Sequence, residues 1–372
     1  MGVLRHIGGD ALNRSPSASE DRVVELLRRL VLTPSSARDD KKEIIEQVLR
    51  PLEGLGYSCE VLGEADSPAL IASKGAGGAL LSGHLDTVPQ GEGWTVEQGE
   101  LKGSILYGRG ASDMKGGCAA MLLAAENLAR IKTPVSLAFT TDEETGMKGA
   151  ERIALHEAVS SAPAIIVCEP TRLRIGAREK GLLQIRLTAT GRSAHVAMPH
   201  EGDNAVHKML TALEKLRPMA ELPENPMDSM TLSISVMRGG DKVNVIPDSC
   251  VAEIDVRTPP EISPKDALAI VKGKLAGVEI DIRVTHQLEP IMISEDSVVI
   301  SKVRELRPGI ESIDIAYATE LVKYSERNRE LLALGPGNPS CAHRADERVD
   351  VREVAEAAEL YCDICTALLR RR

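Results

Sequence analysis

Residues 79–89 read ALLSGHLDTVP. Ala79, Leu80 and Leu81 form a short apolar run that follows Gly75, Gly77 and Gly78 and stops at Gly83. A run of this length between glycines reads as a fully buried strand over 79–83, the kind found in parallel sheets. Such sheets place their sites at the carboxyl ends of the strands, and here that end carries His84 and Asp86. Residues two apart in extended chain share a side, so Asp86 is expected to hydrogen-bond the His84 imidazole and fix its tautomer. Alone, a His-x-Asp pair is a weak signal for metal and more often marks a hydrogen-bonded core histidine.

Upstream, Ser17-x-x-Glu20 resembles a capping box. An amphipathic helix follows through Val23, Val24, Leu27, Leu30 and Val31, then a second helix over 41–55. A hairpin-like stretch turning at Gly75, Gly77 and Gly78 precedes the strand. Downstream, a helix over 114–131, a strand over 135–140 and a strand over 164–168 continue the alternation. That order implies a mostly parallel sheet covered by helices. The style changes near Gly176. Leu183, Ile185 and Leu187 alternate with polar residues, and a helix over 203–216 follows. Next come an alternating run through Leu232, Ile234 and Val236, a strand over 251–256, a helix over 264–275 and a strand over 278–284. This βαββαβ order describes an antiparallel sheet with two helices on one face. From residue 294 the α/β style resumes, with a short strand over 330–334, and closes with a helix over 351–370. The expected fold is an α/β domain of residues 1–175 and 294–372, interrupted by an α+β domain of residues 176–293.

Bulk properties remove several classes of function. The 372 residues suit two domains. A formal charge of 45 − 55 = −10 opposes a nucleic-acid partner, which needs a basic surface. No apolar run is long enough to span a bilayer, and residues 1–19 lack the apolar core of a secretory signal. Seven scattered cysteines then suggest reduced thiols and a cytoplasmic protein. Cys362 and Cys365 fall on the apolar stripe of the last helix, which favours core packing over redox or metal chemistry.

Four further clusters carry chemistry. Gly108-Arg109-Gly110-Ala111-Ser112-Asp113 hints at a dinucleotide loop, but Asp113 stands where the third glycine belongs and would repel a pyrophosphate. A carboxylate there suits a bridging metal ligand better. Asp142-Glu143-Glu144 puts three consecutive acids at a strand end, either as a solvated loop or around a cation. Cys168-Glu169-Pro170 ends another apolar strand with a carboxylate. His343 follows the Gly335-Pro336-Gly337 loop. Together these strand ends supply two imidazoles and several carboxylates, the donor set of two zinc-like ions bridged by a carboxylate.

The five segments, in this order, resemble the M20 metallopeptidase family, whose members include acetylornithine deacetylase, succinyl-diaminopimelate desuccinylase, aminoacylase and glutamate carboxypeptidase. The resemblance covers the chain from about Asp21 onward. It implies a zinc-peptidase-like α/β domain with an inserted βαββαβ dimerisation domain. It implies that His84 and Glu169 hold one metal, that Glu144 and His343 hold the other, and that Asp113 bridges both. Asp86 would orient His84, and Glu143 would be the general base. The Asp113–Met114 peptide would be cis. His195, in Gly-Arg-Ser-Ala-His, would reach the site of the partner in a homodimer and stabilise the oxyanion. Asn244 and Arg257 would bind the substrate carboxylate, and Gly335 and Gly337 would line the substrate. Zinc is the expected metal, with cobalt or manganese also compatible with these ligands.

Two details bear on the substrate, a small N-acyl amino acid. Glu at position 169 goes with acylases in this resemblance. Ala318-Thr319-Glu320 resembles the acetylornithine deacetylase branch of arginine and lysine biosynthesis. There Glu320 would face a side-chain ammonium, or else be a plain surface acid. Lys323 would neutralise it in the ensuing departure from the branch pattern. A desuccinylase, dipeptidase or carboxypeptidase activity is the alternative.

Overall fold

The computed structural model describes residues 18–221 and 223–369. The lead-in and the Ser17 cap therefore lie outside the described residues. The chain divides into two compact units. The first holds residues up to 177, 293–313 and 319 onward; the second holds 178–292 with 314–318.

In the first unit, the strands run in the order Ser58–Leu62, Ala69–Lys74, Val135–Thr140, Ala79–His84, Ile165–Val167, Leu331–Ala333. The four from Val135–Thr140 to Leu331–Ala333 are mutually parallel. Each is buried along its whole length, which explains the largely apolar runs in the sequence. The expectation of a hairpin at the glycine-rich turn needs correction. Ala69–Lys74 pairs antiparallel with Ser58–Leu62 before it and with Val135–Thr140. It never pairs with Ala79–His84, because Val135–Thr140 lies between them. Gly75 to Gly78 therefore carry the chain past an intervening strand, and Gly78 packs so close that a Cβ would lie 2.2 Å from the Pro134 carbonyl oxygen.

The helix Gly116–Ile131 is buried nearly all round from Gly116 to Ala125. Its partners are the helices Ala18–Leu32 and Val351–Leu369 and the sheet. Small residues allow this close packing: a Cβ on Gly117 would sit 2.1 Å from the Cys168 carbonyl oxygen. The helix starts two residues later than its apolar pattern suggests. Ala111–Lys115 form a wide turn in which Asp113 (φ −121°, ψ 95°) and Met114 (φ −130°) are not helical, and the peptide between them is cis. In the closing helix Cys365 is buried and Cys362 half-buried, both as free thiols.

The second unit is an antiparallel sheet in the order Thr231–Gly239, Ser249–Thr258, Gly181–Thr190, Asp281–Leu288. Leu183, Ile185, Leu187 and Ala189 project into one core with Cys250, Ala252, Ile254 and Val256, and the helices Ala205–Leu216 and Pro264–Lys274 cover it. The opposite face is polar, with Arg186 and Glu253 paired across strands at 2.6 Å. The alternation expected at Leu232, Ile234 and Val236 fails partway. A bulge between Ile234 and Val236 shifts the register, and Ile234 is exposed although Leu232 is buried.

Candidate active site

The carboxyl ends of adjacent parallel strands bring the sequence clusters together. His84 is the last residue of its strand and is buried. Thr140 pairs with it on the next strand, so Glu143 and Glu144 follow at the same edge. Glu169 lies just beyond Val167, and Asp113 enters from the wide turn. His343 comes from the loop after Leu331–Ala333, at a left-handed φ of 62° that costs strain in a non-glycine residue.

The distances define two groups that share one residue. The His84 Nε2 lies 3.2 Å from Asp113 Oδ1 and 3.8 Å from Glu169 Oε1. The His343 Nε2 lies 3.4 Å from Asp113 Oδ2 and 2.9 Å from Glu144 Oε1. Asp113 thus offers one oxygen to each imidazole. In each group one ligand atom per residue falls within 4.8 Å of the others. The electrostatics follow from this crowding. Burial opposes charge on His84, but Asp113 and Asp86 outweigh it and hold the imidazole well above its ordinary range. Hydrogen bonds to Asp113 and Glu144 raise His343 to about 10 against the effect of burial. Although burial favours the neutral acid, the two imidazoles hold the Asp113 carboxyl far below the usual carboxylate range. Burial drives Glu143 the other way, well above that range, with Glu169 and Glu144 adding repulsion and His84 opposing.

The three consecutive acids have separate jobs. Asp142 turns back to accept hydrogen bonds from Lys148 N (2.7 Å) and Gly149 N (2.9 Å). Asp86 accepts from the backbone N–H of Glu143 and of Glu144, 3.1 Å each. Its relation to His84 differs from the sequence expectation. The His84 Nδ1 meets the backbone carbonyl of Asp86 at 3.0 Å, while the carboxylate stands off at 3.6 Å. The Asp86 peptide orients the imidazole, and its side chain anchors the loop that carries Glu143 and Glu144.

Glu320 requires a correction. It is fully buried, and its carboxylate accepts hydrogen bonds from Ser82 Oγ (3.1 Å), Tyr324 OH (3.4 Å) and Thr140 Oγ1. It ties two strands together beneath the site and is not available to a substrate ammonium, and it is not a surface acid either. Lys323 does not neutralise it, because Lys323 pairs with Glu151 at 2.6 Å. The backbone groups of the Gly335–Gly337 loop are also engaged. Gly335 N–H donates to Thr171 Oγ1, its carbonyl accepts from Leu173 N, and the Gly337 carbonyl accepts from Arg172 N. A Cβ on Gly335 would lie 2.3 Å from the Cys168 carbonyl oxygen, so glycine is required there for close packing.

His195, Asn244 and Arg257 belong to the second unit. His195 is exposed on a short ribbon that pairs it with Val245, next to Asn244. Its Nδ1 accepts from Ala197 N at 3.1 Å, which leaves the ring proton on Nε2. The Arg257 guanidinium is held by Asp255 at 2.7 Å. Sequence reasoning assigned no role to Arg109 and Glu347, which the structure buries together beside Asp113.

With this geometry in view, the comparisons with known proteins are specific. The chain is 33% identical over 371 residues to an acetylornithine deacetylase of Proteus mirabilis, covering 91% of this chain and 94% of that one. It is 32% identical over 370 residues to a succinyl-diaminopimelate desuccinylase of Acidiphilium cryptum, covering 93% and 97%. Its fold is similar to that of a dinuclear metal binding peptidase of the M20 family from Bacillus subtilis, with a TM-score of 0.70 at 15% identity over 96% of this chain and all of the other. Residues 80–367, which hold every strand end described above, match the sequence profile of peptidase family M20/M25/M40, and the chain belongs to that family.

Proposed function

We propose that this chain is a dinuclear metal-dependent amidohydrolase that cleaves an N-acyl amino acid, with an N-acetylated diamino acid such as acetylornithine as first candidate. The observation that carries this reading is Asp113, whose two carboxylate oxygens each face a different imidazole. That donor set fits two divalent ions. His84 and Glu169 would hold one, Glu144 and His343 the other, and Asp113 both; nitrogen and oxygen ligands favour zinc, with cobalt and manganese as substitutes. When bound, such ions lower the pKa of a shared water and polarise the scissile carbonyl. Glu143 accepts the water proton and delivers it to the leaving nitrogen. His195, with its proton on Nε2, would donate to the developing oxyanion across a homodimer formed through the second unit. Asn244 and Arg257 would receive the substrate carboxylate, Arg257 by exchanging its hold on Asp255.

The acetylornithine reading draws on the relatives' names, since Glu320 is no longer available to recognise an ammonium. Near-equal identity to a desuccinylase keeps succinyl-diaminopimelate as the second reading. Free cysteines, together with the absence among the described residues of a helix long and apolar enough to cross a membrane, are compatible with the cytoplasm as the place of action. The deciding experiment is amine release from N-acetylornithine, N-succinyl-diaminopimelate and a dipeptide, each with added zinc or cobalt. Turnover of the first alone is expected. Turnover of none with any metal would overturn the enzymatic reading.

Metal uptake should depend on pH in a defined direction. In the metal-free protein, His343 holds its proton up to about 10. An incoming ion must displace that proton at neutral pH. Apparent affinity should therefore rise with pH, by up to about tenfold per unit for each proton displaced, with the His343 contribution levelling off near pH 10. Calorimetric titration in buffers of different ionisation heat would detect the released protons. Equal affinity at about pH 6 and about pH 8, with no proton release, would contradict this arrangement.

A further inference from the structure

The bridging position of Asp113 depends on a backbone that is not helical, at the mouth of a helix that starts only at Gly116. Something must hold that turn. The structure supplies a buried carboxylate for the task, from the far end of the chain. The Glu347 Oε1 accepts from the backbone N–H of both Ser112 and Asp113, at 3.0 Å each. The other oxygen, Oε2, receives Arg109 Nη1 at 2.7 Å. Glu347 is 1% exposed and Arg109 8%. The Glu347 carbonyl also accepts from Gly108 N at 2.8 Å, so the contact is made twice, by side chain and by main chain.

Arg109 is itself held at several further points. Its Nη2 donates to the Gln90 carbonyl (3.0 Å), its backbone N–H donates to Gln98 Oε1 (2.7 Å), and its guanidinium lies 5.4 Å from the centroid of the Trp94 ring. A buried carboxylate is tolerated only when paired and hydrogen-bonded, and Glu347 meets both conditions. Glu347 also stands four residues after His343, in the same loop.

We infer that Glu347, held by Arg109, is a positioning residue that sets the Asp113 carboxylate between the two metal positions and keeps the Asp113 and His343 loops in register. The inference rests on the proposed dinuclear site, and it goes beyond it by naming what holds the shared ligand in place. Glu347 touches neither substrate nor metal. It acts through two peptide N–H groups. A carboxylate can accept from both amides and from the arginine at once, whereas a carboxamide has only one accepting oxygen and must leave one side unmet.

The test is cobalt titration of the metal-free protein, followed by visible absorption and by thermal unfolding. Wild-type protein should take up two equivalents. Glu347→Gln should remain folded and bind the pair about tenfold to a hundredfold more weakly, the usual effect of disturbing groups that orient metal ligands. Its kcat should fall at limiting cobalt and recover at high cobalt, with KM for substrate unchanged. A purely structural role would lower the unfolding temperature without a loss that added cobalt repairs. Should Glu347→Gln fail to fold, Arg109→Lys gives the second reading. It keeps the charge, loses the second nitrogen of the fork, and should weaken cobalt binding in the same sense. Wild-type cobalt affinity in a folded Glu347→Gln protein, or in a folded Arg109→Lys protein where the first is unfolded, would overturn the positioning role alone. Wild-type protein that takes up no pair of ions would overturn the dinuclear site itself, and this inference with it.

Discussion

Replacing Glu143 by Ala is expected to lower kcat about a thousandfold while leaving metal content unchanged, the scale of a lost general base. The reasoning is geometric. Glu143 and Glu144 are adjacent, and both of their backbone N–H groups are fixed on the two oxygens of Asp86. The carboxylate of Glu144 then reaches His343 at 2.9 Å, while the Glu143 carboxyl belongs to neither ligand group. Removing it takes away a proton carrier without removing a metal donor. Glu143→Gln should give nearly the same loss, since the amide keeps the shape but cannot accept and return a proton. Glu144→Ala should behave differently, with metal content reduced along with rate. Metal analysis beside steady-state kinetics separates the two. Near-normal turnover by Glu143→Ala, or loss of metal equal to that of Glu144→Ala, would remove Glu143 from its assigned role.

What the sequence discloses about this site, and what it hides, follows from the range of the interactions involved. The strands ending at His84, Thr140 and Val167 are legible because strands buried on both faces must be largely apolar, and the acidic and imidazole residues that follow each run mark the site. The βαββαβ order of the second unit is legible because one buried face enforces alternation, from Leu183 to Ala189 and from Cys250 to Val256. The bulge after Ile234 is not, since one inserted residue leaves composition unchanged. The crossing at Gly75 to Gly78 looks like a hairpin because glycines mark a turn without saying which strands it joins. Asp86 is legible as a partner of His84, yet the choice between its peptide and its carboxylate is settled by where the next strand ends. Glu347 and Arg109 are 238 positions apart. Nothing local in an acid following Asp346, or in an arginine between two glycines, announces that each is the other's counter-charge.

Glu320 shows the same limit in reverse, and its replacement should separate a structural acid from a substrate-binding one. Its carboxylate joins Ser82, in the strand of His84, to Thr140, in the strand that leads to Glu143, and to Tyr324 on its own short helix Leu321–Tyr324. All four side chains are buried, and burial pushes the Glu320 carboxyl above its ordinary range. Glu320→Ala would open a cavity and leave Thr140 Oγ1 without its acceptor, although Ser82 and Tyr324 would still bond each other at 2.8 Å. The cavity and the unmet hydroxyl together should cost about 3 kcal/mol. Glu320→Gln fills the space and keeps one acceptor, so about 1 kcal/mol is expected. Denaturant unfolding would measure both. The kinetic signature is the sharper one. If Glu320 only ties strand ends together, KM should respond equally for N-acetylornithine and for an N-acetyl amino acid without a side-chain ammonium. A rise confined to the ammonium-bearing substrate, in a variant of normal stability, would return Glu320 to the substrate pocket. The opposite pattern, stability lost and selectivity kept, would mean that preference for any diamino acid is written elsewhere in the chain.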